Sequence, residues 1–185
     1  MRSGGDPPSG LTDSAPAPGD RQDFGLLYSR RDIAWARWIA WVLEERVLLD
    51  SRPATVFHPE WDIVPGSNQP ASMARMLEFS DRVVLILSPD FVADSQNDSI
   101  ASSAILHERR IVPVRVAECQ PGPLLQPIVQ IDLTGQDETA ALTSLLAGID
   151  AAVEGRAKPP TAPPFPSVAG PGGEGGPGKA GGVRA

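Results

Sequence analysis

The chain has 185 residues, room for one domain of ordinary size, and a formal net charge of −7. Residues 23–154 hold 10 Arg, 19 Asp plus Glu and no Lys, which argues against general nucleic-acid binding and leaves no polybasic patch for a membrane. The lone Cys119 cannot form an internal disulfide, no apolar run approaches the ~20 residues of a membrane span, and no secretory signal opens the chain. A soluble, cytoplasmic setting is the expectation.

Residues 1–22 are rich in Pro, Gly, Ser and Asp and are expected to form a disordered arm. The first strand is expected at Leu26-Leu27-Tyr28, followed by Ser29-Arg30-Arg31-Asp32, with Asp32 as the N-cap of a helix over 33–46. In that helix Trp35, Trp38, Ile39 and Val42 fall at i, i+3, i+4, i+7, and Trp41 widens the face. Core packing accounts for the three tryptophans better than a ligand-stacking platform does.

A strand over 54–57 leads into the loop 58–68, where Pro65-Gly66 marks a turn. A helix over 70–80 carries Met73, Met76 and Leu77 at helical spacing. The run Arg82-Val83-Val84-Leu85-Ile86-Leu87 predicts a strand buried on both faces. Ser88 to Ser99 then leads into a helix, and further strands are expected at 111–116 and 128–133, before a last helix near 136–153. The tail 155–185, with 9 Gly and 7 Pro, is expected to be disordered.

Strands alternating with helices predict an α/β fold: a five-stranded parallel sheet of flavodoxin-like order 2-1-3-4-5 with helices on both faces. Ligands of such folds sit beyond the carboxyl ends of the strands, at the switch point between strands one and three. Here that edge comprises Ser29–Asp32, the loop 58–68 and Ser88–Ser99.

Several chemistries are excluded there. No glycine-rich phosphate cradle follows the first strand. Two histidines, His58 and His107, and one cysteine are too few and too badly spaced for a metal centre. No nucleophile elbow is present. A phospho-acceptor receiver would need a lysine after strand five, and the segment has none.

The blocks DFGLLYSRRD, AWARWIAWVLEE, EWDIVPGSN, DRVVLILSPDFV and RRIVPVRVAECQPGPLLQPIVQIDLTG, in this order, resemble a bacterial TIR domain over residues 23 to about 153. The resemblance implies a flavodoxin-like fold and a signalling module that associates with itself or with other TIR-domain proteins. It also implies, for many members, cleavage of NAD+ at the nicotinamide–ribose bond, with no other cofactor required. Matched to the family blocks, Tyr28, Ser29, Arg30, Trp61, Asp62 and Ser88 would border the nucleotide. Trp61, Asp62, Pro65, Gly66 and Ser67 would form the gating and association loop.

Enzymatic members carry a glutamate about a dozen residues beyond the serine matching Ser88; here that count lands on Ile100. Cleavage needs a carboxylate near the ribose as nicotinamide leaves, and losing one such group typically costs ~10²–10⁴ in rate. Asp98, a weak candidate two residues earlier, and Glu108, two helical turns later, are the nearest substitutes in sequence. Three outcomes follow: an association module with impaired NAD+ cleavage, an NAD+ hydrolase using Asp98 or a partner-supplied acid, or a domain that binds nucleotide without turnover. Gly25 stands where the family prefers a bulky residue and is expected at most to loosen the core.

Overall fold

The computed structural model describes residues 21–106, 110–158 and 161. The arm up to residue 20, His107, Glu108 and all but the start of the tail lie outside the described residues. The chain runs β1 (Gln22–Leu27), a 3-10 turn (Arg30–Asp32), α1 (Ile33–Arg46), β2 (Leu48–Leu49), β3 (Arg52–Pro53), β4 (Val56–Phe57), and α2 (Pro59–Asp62). It continues with α3 (Gln69–Phe79), β5 (Ser80–Leu87), α4 (Pro89–Ala93), α5 (Ser95–Leu106), β6 (Arg110–Arg115), β7 (Ile131–Asp132) and α6 (Glu138–Glu154).

Five strands form one parallel sheet in the order β4-β1-β5-β6-β7. Numbered by their appearance in the sheet, this is the expected 2-1-3-4-5 order. The side-chain period of two sorts β5 between two cores. Val84 and Ile86 join Phe24, Leu26 and the α1 and α6 residues Ile39, Leu43 and Leu145 on one face. Val83, Leu85 and Leu87 join Leu27, Met76 and Phe91 on the other. That double burial is why the strand reads as an unbroken apolar run.

Several expectations are corrected. The strand expected at 128–133 contracts to Ile131–Asp132, and Val129 is 91% exposed. Its ladder to β6 begins at Val114, one residue past Pro113, which has no N–H to donate. Trp41 does not widen the buried face of α1: it is 52% exposed, while Ala36, Ile39, Ala40, Val42 and Leu43 fill the interface. Trp35 and Trp38 pack half-buried at its border, edge to face at 5.8 Å.

Asp32 occupies the N-cap position of α1, but its side chain makes no cap bond. Gly25 does not loosen the core, because Met76 uses the space: a Cβ at Gly25 would collide with the Met76 thioether and reach 2.6 Å from Ser80 Oγ. The hairpin β2–β3 has no counterpart among the elements expected from the sequence. Its turn places Asp50 and Ser51 at φ 50° and 66°, and Arg52 then reaches back to the Asp23 carboxylate at 2.7 Å.

Candidate functional site

The carboxyl ends of β1, β4 and β5 deliver Tyr28, His58 and Ser88 to one edge of the sheet. Tyr28 and Trp61 meet around a residue that sequence reasoning used only to exclude a metal site. His58 stacks on Trp61 with ring centroids 4.2 Å apart and an interplanar angle of 24°, and Tyr28 lies 5.4 Å from it on a tilted plane. The short helix α2 is what places Trp61 there. Its amides at Trp61 and Asp62 donate to the His58 carbonyl at 2.9 Å.

Asp62 is turned toward its own helix start, where it accepts the His58 backbone N–H at 2.7 Å. Glu60 is bound by the Arg37 guanidinium through both carboxylate oxygens, which ties α2 to α1. Burial and the nearby Glu60 charge push the Tyr28 phenol up to about 12, against a backbone hydrogen bond from Glu60. Burial likewise holds the His58 imidazole below its ordinary value, against the pull of Glu60 and Asp62.

At the neighbouring position, Ser88 Oγ donates to Asp32 Oδ2 at 2.5 Å and accepts from the Phe91 N–H at 3.0 Å. Ser88, Asp32 and Ser29 are all buried, and the Asp32 amide donates to the Ser29 carbonyl at 2.8 Å. Burial raises the Asp32 carboxyl; the Ser88 hydroxyl pulls it down and the Asp90 charge pushes it up. Arg30 is exposed, and the exposed Arg31 bridges to Asp90 at 3.0 Å. The candidate residues therefore divide into an aromatic group (Tyr28 and Trp61, about His58) and a polar one (Ser29 and Ser88, about Asp32). Arg30 stands outside both.

Pro65 and Gly66 form the turn their sequence predicts. The Ser67 amide donates to the Val64 carbonyl at 3.0 Å, and Gly66 has φ 95°, the value a type II turn needs at its third residue. Asp62 and Ser67 also line a cleft of about 360 Å³ with Phe57, Arg75 and Ser80. On α5, Ile100 packs half-buried against the apolar cluster that contains Leu87, Phe91, Ala101 and Leu125. Asp98 is exposed, and its Oδ1 lies 3.1 Å from where a side chain on Gly122 would begin. Among the described residues no group of three or more His, Cys, Asp or Glu could hold a metal ion, and no helix is long and apolar enough to cross a membrane.

The sequence places His58 and Asp32 at this edge but assigns neither a role in the site. A histidine directly after a short apolar strand, followed by Pro-Glu-Trp, is the available signal for the first. For the second the signal pointed to a cap, because Asp before a helix is a common cap.

The parallel sheet order, with apolar cores on both faces, defines a flavodoxin-like α/β domain. A family model described as the TIR domain matches residues 24–146, two thirds of the chain, and the chain belongs to the TIR-domain family. Among solved structures, the TIR domain of the Toll-related receptor TRR-2 from Hydra magnipapillata is similar, with 17% identity and a TM-score of 0.59, over 72% of this chain and 98% of that one. A TIR-STING receptor from C. gigas, solved in complex with 2',3'-cGAMP, is similar with 20% identity and a TM-score of 0.54, over 71% of this chain. The same receptor in a separate structure gives 18% and 0.53 over 71% of this chain. This chain spans only 42–43% of the length of those receptor chains. At such identities the likeness is one of fold. These relatives are animal proteins, so they lend no support to the bacterial origin that the sequence blocks imply. No curated protein matches the chain.

Proposed function

We propose that this TIR domain acts by associating with a second copy of itself or with another TIR-bearing protein, with impaired NAD+ cleavage. The observation that carries this is the position of Ile100. Its side chain packs into the apolar cluster under α5, and it offers neither charge nor hydrogen bond to a departing nicotinamide. The association contact is assigned to the loop 58–68. Pro65, Gly66 and Ser67 are exposed there, and Trp61 and Val64 remain 44% and 57% exposed. A cytoplasmic setting and a bacterial source belong to the same proposal.

If NAD+ is held without turnover, Tyr28, Ser29, Arg30, Trp61, Asp62 and Ser88 are the residues assigned to it. Nicotinamide release by the purified chain at high concentration, beside an Ile100→Glu variant, tests the enzymatic part. The unmodified chain is expected to stay at background, and activity in Ile100→Glu alone would show an intact pocket that lacks its acid. Turnover by the unmodified chain overturns the proposal in favour of an NAD+ hydrolase, and loss of that turnover in Asp98→Ala would then identify the acid. Sedimentation across a concentration series, with Trp61→Ala and Gly66→Ala as loop variants, tests association.

A further inference from the structure

The His58 side chain is fully buried, yet neither ring nitrogen has a hydrogen-bond partner among the described residues. A neutral imidazole carries one donor and one acceptor, and leaving both unpaired in the interior is destabilising. Aromatic packing against Trp61 and Tyr28 offsets this while the ring stays neutral. An imidazolium would carry two donors and a full charge into the same space.

The charged and titratable groups facing the ring come from three elements. The Tyr28 phenol follows β1, Arg37 projects from α1, and Glu60 and Asp62 lie on α2. Glu44 of α1 feels the Asp62 charge. Both α2 carboxylates are already engaged, Glu60 by the Arg37 guanidinium and Asp62 by the His58 backbone N–H. Arg37 adds a like charge. Desolvation therefore outweighs the carboxylates, and the buried ring favours its neutral form.

We propose that His58 is an acid-sensitive latch. Neutral, it closes the Tyr28–His58–Trp61 stack and pins α2 to the carboxyl edge of the sheet; protonated, it leaves the stack and frees α2. The sign follows from linkage. The open form takes up a proton near the ordinary histidine value of 6.5, whereas the closed form resists it. The latch is fully closed above that value and loses stability as pH falls, by up to about tenfold in the opening constant per pH unit.

The chain has only two histidines, so an NMR titration of the full-length protein resolves His58 once His107 is assigned from a His107→Asn variant. The His58 ring is expected to titrate below 6.5 in the folded protein. Amide exchange at Trp61 and Asp62 is expected to show opening that rises about tenfold per pH unit below that value. In His58→Phe, which keeps an aromatic ring in the stack, the opening is expected to be independent of pH. Titration of His58 at or above its ordinary value overturns the proposal, whether or not the variant folds. So does opening that remains equally acid-sensitive in His58→Phe.

Acid weakening of association through the 58–68 loop would follow only on the function proposed above. Sedimentation at the same pH values separates the two. An acid-opened α2 with unchanged association leaves the latch standing and removes the loop as the contact.

Discussion

Ser88 and Asp32, 56 positions apart in sequence, share a buried hydrogen bond of 2.5 Å that joins the end of β5 to the turn after β1. The same hydroxyl caps α4 by accepting the Phe91 N–H. One side chain thus serves a helix start and a buried carboxylate at the switch point of the sheet. Ser88→Ala removes a cap and leaves the Asp32 oxygen without its donor, so a loss of about 2–4 kcal/mol is expected in chemical denaturation. Asp32→Asn is expected to lose less, since its amide oxygen can still accept the serine hydroxyl. A Ser88→Ala loss below about 0.5 kcal/mol would show that the bond does not hold the edge together.

Gly25 is small because the Met76 thioether lies against its backbone. Its φ is not positive, so the constraint is space and not backbone conformation. Gly25→Ala is expected to destabilise the domain by about 1–3 kcal/mol through overpacking. Combining it with Met76→Ala should give less than the sum of the two single losses, since the second change opens the space the first one fills. Strict additivity in thermal or urea unfolding would contradict that contact.

Tyr28 is the only tyrosine in the chain, so phenolate absorbance follows this residue alone. Its midpoint is expected near 12, raised by burial and by Glu60. The folded form retains its proton more tightly than the unfolded chain, whose value is 10.0. The contribution to stability is therefore complete below that value and is lost as pH rises toward about 12. Tyr28→Phe should remove this alkaline component, and a wild-type midpoint at the ordinary value would mean the stack is open.

Asp23 holds the β2–β3 hairpin by accepting from Arg52 and from both the amide and hydroxyl of Thr55. Burial pushes its carboxyl up, but the Arg52 and Thr55 bonds outweigh it and leave the value below the ordinary 3.8. A depressed carboxyl stabilises the fold above its unfolded value and loses that contribution as pH falls through the lower, folded one. Asp23→Asn is expected to be less stable than wild type near neutrality. The two should converge as pH drops below 3.8, measured by urea unfolding at a series of pH values. A gap that stays constant with pH would assign the effect to packing alone.

The element order and sheet topology were legible because their causes are local. The helix Ile33–Arg46 repeats its apolar residues at a helical period, and the double burial of β5 is written in five consecutive apolar side chains. Pro65-Gly66 likewise meets the dihedral demands of its turn from two adjacent residues. The tertiary structure decided what depends on neighbours far along the chain. It left Trp41 in solvent although Trp38 packs inward, and it shortened β7 beside Pro113. It also turned Asp32 from its own helix toward Ser88 and enclosed His58 between Tyr28 and Trp61. Residue order dictates backbone preference over a few positions. The environment of a buried carboxylate or imidazole is set by which distant side chains the sheet brings against it, and from that environment its charge follows.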